Sequence, residues 1–138
     1  MGSSNITVDT HSLLWYVDKG QNKKLSRLAL QAIAKAEQIG MIYVPAIAFM
    51  ETLFLIEKGR FSLGPTAPDQ QARDFLSMIE RSGIYRIVPI DASLLRVAIR
   101  LRGLNIHDRL IVATAILTST VLVTKDRTIA ARVANVVW

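Results

Sequence analysis

The chain has 138 residues, of which 51% are hydrophobic, and it carries 17 Lys and Arg against 11 Asp and Glu, a formal net charge of +6. This size and apolar content predict a single globular domain over residues 1–138 and exclude an intrinsically disordered chain. Because the sequence contains no cysteine, disulfide frameworks, zinc–thiolate sites and cysteine catalysis are excluded as well.

The excess of basic residues favours a polyanionic partner such as nucleic acid. The longest apolar segment, 46–56, is interrupted by Glu51 and Thr52, whereas a membrane-spanning helix needs about 20 apolar residues. No charged segment followed by an apolar one opens the sequence, as it would in a secretory leader. We therefore expect a cytoplasmic protein without a membrane partner.

The sequence alternates between strand and helix signals. Short β-branched runs indicate strands, apolar residues at helical spacing indicate helices, and Gly40, Gly59 and Gly83 are helix stop signals. In chain order the sequence predicts a strand at 6–8, helices around 13–17 and at 25–36, a strand at 41–44, a helix at 46–58, a loop at 62–68, a helix at 69–81, a strand at 84–90, helices at 91–102 and 108–119, a strand at 120–123, a short helix at 128–132 and a strand at 136–138.

This alternation predicts an α/β fold with a mainly parallel sheet and helices on both faces. The strands are almost continuous apolar runs, as expected when both faces of a sheet are covered. In open sheets of this kind, ligands bind beyond the carboxyl ends of the strands. The residues that follow each strand are therefore the first candidates for a functional site.

Several acidic residues stand at such positions. Asp9 ends the first predicted strand, Asp126 follows the fourth, and Asp108 opens a helix that is almost wholly apolar. Acids at these places are also ordinary helix caps, which is the interpretation we favour for Asp91 and Asp69. For Asp9 and Asp126 a functional role competes with capping, because the neighbouring Thr10 and Thr124 carry hydroxyls that can hold a carboxylate.

Glu51 is the most unusual acid, since its helical neighbours at three and four residues are all apolar. A carboxylate partly withdrawn from water needs a compensating partner. A metal or catalytic site and a structural ion pair, for example with Arg109, explain Glu51 equally well. If several carboxylates met at one place, a hard divalent cation such as Mg²⁺ or Mn²⁺ would offset their repulsion and activate water.

The sequence resembles the PIN-domain family and, within it, the VapC-like ribonuclease toxins of bacterial toxin–antitoxin pairs. The matching segments span most of the chain: VDTHSLLW at 8–15, Glu51 in a helix that ends EKGR at 57–60, HDRLIVATA at 107–115 and LVTKD at 122–126. One departure precedes Asp108, where many relatives carry a stretch like DPFD and this chain has NIHD at 105–108. An acid is missing there, which bears on the number and affinity of bound metal ions.

The resemblance implies a PIN-like three-layer α/β/α sandwich and a metal-dependent endoribonuclease that hydrolyses RNA phosphodiesters. It implies a catalytic quartet of Asp9, Glu51, Asp108 and Asp126, in which Asp9, Asp108 and Asp126 bind Mg²⁺ or Mn²⁺, while Thr10 and Thr124 support them. It further implies a homodimer that is silenced by a small antitoxin protein. The apolar helices at 25–36 and 49–56 are candidates for the antitoxin-binding surface.

Basic residues near the proposed acids are candidates for binding RNA. Lys125 and Arg127 flank Asp126, and Arg109 follows Asp108. We leave His11 and His107 out of the metal ligands, because a lone histidine beside an acid is more often a packing or hydrogen-bonding residue. The aromatic side chains are interpreted as core or subunit contacts rather than base-stacking surfaces, which applies to Trp15, Phe49, Phe54 and Phe75.

Two other functions fit an α/β chain with acids after its strands. An aspartate-nucleophile phosphatase would show Asp-x-Asp after the first strand, but Asp9 is followed by Thr10 and His11. A receiver domain would carry its phosphate-accepting aspartate at the position of Asp91, but this sequence lacks the acid pair that precedes it in such domains. A catalytically silent PIN-like module that binds RNA or protein is the remaining alternative, and the presence of all four acids argues against it.

Overall fold

The computed structural model of the protein describes residues 4–133 and 135–138. Its strands are β1 (Ile6–Val8), β2 (Ile42–Pro45), β3 (Tyr85–Val88), β4 (Val121–Val123) and β5 (Val136–Val137). They form a 5-stranded sheet in the order β3-β2-β1-β4-β5, and every neighbouring pair is parallel. The central strand β1 pairs on both sides, so that Ile6 aligns with Ile42 of β2 and with Val121 of β4.

The helices follow the predicted alternation. They are α1 (Thr10–Val17), a 3-10 helix (Lys19–Lys24), α2 (Arg27–Ile39), α3 (Ala46–Glu57), α4 (Pro68–Arg81), α5 (Ala92–Ala98), α6 (Ile106–Leu117) and α7 (Arg127–Ala130). The 3-10 helix is a short element that the sequence pattern does not reveal. Among the residues that the structure describes, no helix has both the length and the apolar character needed to cross a bilayer.

Two apolar cores lie on opposite faces of the sheet. On one face, Ile6, Val8, Ile42 and Val44 pack with α1, α2 and α4. On the other face, Leu122 packs with apolar residues of α3, α6 and α7, and a neighbouring cluster joins α5 to α6. Successive side chains of a strand point to opposite faces, which accounts for the division between the two cores. The prediction of a three-layer α/β/α sandwich is confirmed.

The sheet order places a topological switch beside β1. The chain builds outward from β1 to β2 and β3, then returns to the other side of β1 with β4 and β5. The segments leaving β1 and β4 therefore diverge to form a crevice at the carboxyl edge of the sheet, where open α/β folds bind ligands. Asp9 directly follows β1, and Asp126 lies three residues after the end of β4.

Two acids that were predicted to begin helices do not cap them. Asp69 does not cap α4, because the helix begins at Pro68, whose fixed φ suits the first helical position. Asp69 instead lies in the first turn, where its carboxylate is 3.3 Å from Arg73. Asp108 does not open α6 either. Asn105 is the cap, and its side-chain oxygen accepts a hydrogen bond of 2.8 Å from the Asp108 amide.

Two other predicted elements are shorter in the structure. Strand β3 ends at Val88, because Pro89 has no amide hydrogen to continue the ladder. Helix α5 ends at Ala98 rather than 102, since the next turn tightens into i to i−3 hydrogen bonds. Leu95 of α5 is exposed, although its apolar side chain stands at helical spacing from the buried Ala98. The prediction that Asp91 caps α5 is confirmed by a 3.0 Å bond from the Leu94 amide to its carboxylate.

Candidate active site

Asp9 is fixed by bonds to both of its carboxylate oxygens. It follows β1 and caps α1, where Oδ1 accepts a hydrogen bond of 3.0 Å from the Ser12 amide. Oδ2 accepts a 2.5 Å hydrogen bond from the hydroxyl of Thr124, the residue after β4. Capping and a functional role are therefore compatible, since the cap bond uses only one oxygen and orients the other toward the switch point.

Asp126 is held by the same threonine and by the helix that it caps. Its backbone amide donates a 3.0 Å hydrogen bond to the hydroxyl of Thr124. Its Oδ1 accepts hydrogen bonds of 2.8 and 3.3 Å from the amides of Thr128 and Ile129 at the start of α7. Thr124, which is almost completely buried, thus connects the two acids that follow β1 and β4.

Asp108 and Glu51 approach the same place from helices. Asp108 is in the first turn of α6, and its side chain is 15% exposed. Glu51 projects from α3, and its side chain is 40% exposed, as expected for a carboxylate partly withdrawn from water. The Glu51 carboxylate lies 3.4 Å from Nε2 of His107. The His107 side chain is 36% exposed, but its Nε2 atom is buried and makes no hydrogen bond within the described ranges.

One cavity of about 210 Å³ brings the four acids together. Its floor and rim are completed by threonine, histidine and isoleucine side chains. The full lining is Asp9, Thr10, His11, Glu51, His107, Asp108, Ile111, Asp126 and Ile129. The four predicted acids therefore share one site, although they are spread over most of the chain.

The electrostatics of Asp108 show that these acids interact. Its pKa is raised above the ordinary value of 3.8, first by burial and then by the negative charge of Asp126. Asp9 and Glu51 raise the pKa further, while His107 opposes the shift. Three separate carboxylates thus repel a charge on Asp108, which is the situation in which a bound cation would stabilise the site.

The structure places no basic side chain in an ion pair with this quartet, among the residues that it describes, apart from His107. Arg109, the suggested structural partner of Glu51, instead donates from Nε to the Leu104 carbonyl at 2.8 Å. It lines a different hollow with Leu95 and Ile106. Lys125 and Arg127 are exposed beside Asp126 but do not line the cavity.

The side chains around the cavity have the right chemistry to bind a hard divalent cation, but they are too far apart to bind one as they stand. Within 4–133 and 135–138, no three His, Asp or Glu side chains already stand close enough together to hold a metal ion. The donors around the cavity are nonetheless carboxylates, which suit Mg²⁺ or Mn²⁺, and their mutual repulsion is not offset by Lys or Arg. Asp9, Asp108 and Asp126 would hold such an ion.

The structure adds two histidines to the site, and it shows that Thr10 makes a different contact from the one expected. His11 and His107 line the cavity, although neither was predicted to be a metal ligand. The available signal was their spacing, since each stands within two residues of a selected acid. Thr10 lines the cavity too, but its hydroxyl donates at 3.5 Å to the Ala48 carbonyl and so connects α1 with α3 rather than with a carboxylate.

Comparisons with known proteins agree with this architecture. The model of the PIN domain family matches residues 6–135. Among solved structures, VapBC2 of Rickettsia felis bound to a promoter DNA fragment has a TM-score of 0.66 and 15% identity, with 96% of each chain covered. A toxin–antitoxin complex of Klebsiella pneumoniae has a TM-score of 0.65 and 23% identity, also with 96% of each chain covered.

A third structure, VapC20 of Mycobacterium tuberculosis, is described as a sarcin-ricin loop cleaving toxin. It has a TM-score of 0.64 and 16% identity, with 91% of this chain and 93% of that chain covered. No curated protein matches the sequence. The family model spans nearly the whole chain and includes all four acids of the cavity, and the chain therefore belongs to the PIN domain family.

Proposed function

We propose that the protein is a divalent-metal-dependent endoribonuclease and the toxin of a VapBC-type toxin–antitoxin pair. The observation that carries the proposal is the convergence of Asp9, Glu51, Asp108 and Asp126 on one cavity at the switch point of a PIN domain. The description of VapC20 as a toxin that cleaves the sarcin-ricin loop, and of other similar structures as toxin–antitoxin complexes, supports the same function for this chain.

The four acids divide between two tasks in the proposed reaction. A bound Mg²⁺ or Mn²⁺ would lower the pKa of water and offset negative charge on the phosphate. Asp9, Asp108 and Asp126 would hold the ion, and the Thr124 hydroxyl fixes the orientation of Asp9. Glu51, which is more exposed than Asp108, would accept a hydrogen bond from the attacking water and orient it toward phosphorus.

Basic residues outside the cavity would bind the RNA backbone. Lys125 and Arg127 are exposed on either side of Asp126, where a phosphate entering the cavity would pass. Such contacts give affinity that falls with salt and carry little sequence information. Arg109 is a weaker candidate for binding RNA, because its guanidinium is held away from the cavity by the hydrogen bond to the Leu104 carbonyl.

The decisive experiment measures cleavage of labelled RNA with Mn²⁺ or Mg²⁺ against EDTA. The wild type should cleave only with the divalent ion, and Asp9→Asn should lose cleavage by about 100-fold or more, because a neutral amide is a poor ligand. Asp91→Asn is a matched control, since Asp91 also caps a helix with its Oδ1 but lies outside the cavity. Equal cleavage by wild type and Asp9→Asn would contradict the proposed site.

A catalytically silent PIN-like module is the second candidate function. It is favoured by the spacing of the acids, since in the described residues no three of them are close enough to hold an ion as they stand. The same experiment separates the two functions. RNA binding without cleavage, in any divalent ion, would assign the chain to the binding class.

We also propose an antitoxin and a second copy of the chain as partners. Helices α2 and α3 expose Leu28, Met50 and Phe54, which provide an apolar surface for an antitoxin. A separate group, Leu95, Ile99 and Ile106, surrounds one hollow and suits self-association. Expression of the wild type should arrest bacterial growth, and co-expression with the product of the adjacent gene should relieve the arrest if that product is the antitoxin.

A further inference from the structure

An aromatic pair on α1 begins at the acidic cavity, where one of its two rings is part of the lining. His11 lines the cavity, is exposed to solvent and belongs to the first turn of α1. Trp15 lies one turn further along the same helix, and the two ring centroids are 5.4 Å apart with an interplanar angle of 48°. The aromatic surface thus begins at the cavity and continues away from it along α1.

Trp15 is held on two other sides. Trp138 lies with its ring centroid 6.0 Å from that of Trp15, and Nζ of Lys125 is 5.9 Å from the Trp15 ring. Partial burial and these contacts fix the indole, whereas the imidazole of His11 remains exposed. A cation at this distance contacts the face of an aromatic ring favourably. Lys125 immediately precedes Asp126 in the sequence, so the positive charge on the Trp15 ring belongs to the loop that carries this acid.

We infer that His11 and Trp15 form a stacking platform for the nucleobase adjacent to the scissile phosphate of a single-stranded RNA, with Lys125 bound to a neighbouring phosphate. The inference rests on the proposed ribonuclease function. A phosphate in the cavity would bring the next nucleotide of the chain over the rim, where the exposed ring of His11 lies. Bases stack on aromatic side chains, and Lys neutralises the backbone beside them.

The position of the aromatic pair, rather than its composition, distinguishes this surface. Phe54 on α3 is also exposed and has Lys58 Nζ 5.3 Å from its ring, yet neither residue lines the acidic cavity. Trp15 packs against the core as expected, and the platform adds a second role to it. It also predicts a substrate class, because the bases of a continuous duplex are already stacked and paired and cannot lie on His11.

The chain supplies its own probe for this test. Its 2 tryptophans are Trp15 and Trp138, which lie next to each other at the platform. We expect a single-stranded oligoribonucleotide to quench their fluorescence in the non-cleaving Asp9→Asn background, and a duplex of equal length to quench it much less. His11→Ala in that background should weaken binding about tenfold, as expected for loss of one stacked base.

Rescue separates stacking from other roles of histidine. His11→Phe should restore binding to within about threefold of the parent, because stacking needs only an aromatic face. In the cleaving protein, His11→Ala should raise KM about tenfold and change kcat little. Lys125→Ala should weaken RNA binding and reduce its salt dependence, whereas the matched variant Lys58→Ala should not.

Several results would overturn the platform. One is unchanged RNA affinity and KM in His11→Ala, provided that the wild type cleaves RNA. Another is a His11→Ala defect that His11→Phe fails to repair, which would assign His11 to hydrogen bonding or metal binding. A third is quenching by an antitoxin but by no RNA. If the wild type never cleaves but RNA still quenches in a His11-dependent way, the platform is supported and the proposed catalytic function fails.

Discussion

The hydroxyl of Thr124 donates a hydrogen bond of 2.5 Å to Oδ2 of Asp9, joining the ends of two neighbouring strands whose residues are 115 positions apart in sequence. The same hydroxyl accepts a hydrogen bond of 3.0 Å from the Asp126 amide. Because Thr124 is almost completely buried, its rotamer is constrained by packing. One hydroxyl therefore sets the distance between two of the acids in the cavity.

Replacing Thr124 by Val should test this role. Valine fills the same space but leaves Oδ2 of Asp9 without its donor, which we expect to lower the free energy of unfolding by about 1–3 kcal/mol and cleavage by about tenfold or more. Thr124→Ser keeps the hydroxyl and should stay within about threefold of wild-type cleavage. Urea unfolding and initial cleavage rates measure the two effects.

Thr114→Val is the matched control for this substitution. Thr114 is equally buried, but its hydroxyl donates to the Leu110 carbonyl within α6 and contacts no acid. We expect this variant to retain cleavage. If Thr124→Val and Thr114→Val cleave equally well, Thr124 serves only to stabilise the fold.

Asp108 should destabilise the metal-free protein at neutral pH. Burial and the charges of Asp126, Asp9 and Glu51 raise its pKa in the folded chain above 3.8. A raised pKa gives stability that is complete below the unfolded-state pKa and is lost as the pH rises through the folded-state pKa. Above the folded-state pKa that stability is gone and the charged carboxylate is repelled by its neighbours, so Asp108→Asn should raise the Tm of the metal-free protein.

Divalent ions should make the Tm of the wild type higher than that of Asp108→Asn. Saturation with Mn²⁺ at about 100 times its Kd would add about 2.7 kcal/mol to the wild type, and less to Asp108→Asn, which lacks a ligand. Thermal melts at pH 7 with EDTA and with Mn²⁺ measure both effects. A lower Tm for Asp108→Asn in EDTA would show that Asp108 forms a stabilising contact rather than a repelled charge.

The positions of Asp9 and Asp126 were predictable because Asp9 directly follows β1 and Asp126 lies three residues after β4, and the ends of parallel strands share one edge of the sheet. The start of α6 was less predictable, since Asn105 and Asp108 are both good capping residues and only the backbone shows which one is used. Sequence patterns therefore locate acids near an edge more reliably than they assign the hydrogen bonds that these acids make.

Side-chain direction was the part of the site that the sequence did not determine. His11 and His107 both line the cavity, and Arg109 turns away to the Leu104 carbonyl, although all three are adjacent to selected residues. Each direction depends on rotamers and on contacts between elements far apart in sequence. The exposure of Leu95 has a similar origin, because α5 buries Leu94 and Ala98 and then ends early.

The proposed self-association surface predicts an effect of charge on oligomeric state. Ile99 and Ile106 are 71% and 78% exposed beside the same hollow, and exposed apolar residues grouped in this way are typical of a protein–protein interface. Ile99→Asp should convert a dimer into a monomer, because burying an unpaired carboxylate at an interface costs several kcal/mol. Light scattering after size-exclusion chromatography measures the mass.

Ile39→Asp provides the control for this experiment. Ile39 is 69% exposed at the end of α2 and does not line the hollow, so the substitution matches Ile99→Asp in chemistry and exposure. The dimer should survive in Ile39→Asp. A wild type that is monomeric at micromolar concentration would contradict the proposed surface directly.

Glu37 lies outside the acidic cavity and binds two tyrosine hydroxyls. We expect this cluster to make the free energy of unfolding depend on alkaline pH. Glu37 accepts hydrogen bonds of 2.8 Å from the Tyr16 hydroxyl and 3.1 Å from the Tyr85 hydroxyl. Burial, with the bond to Glu37 and its charge, raises the pKa of Tyr16 from 10.0 to about 12. Burial and the charge of Glu37 also raise the pKa of Tyr85.

The sign of this shift fixes the pH range in which Tyr16 matters. The stability that its hydroxyl contributes is complete below pH 10.0 and is lost as the pH rises toward 12, because the folded chain holds the proton more tightly. Tyr16 is partly solvated, so we expect that contribution to be about 1 kcal/mol. In urea unfolding, Tyr16→Phe should be less stable than wild type at pH 8, and the difference should shrink between pH 10 and 12. A stability difference that stays constant from pH 10 to 12 would show that burial and Glu37 do not raise the pKa of Tyr16.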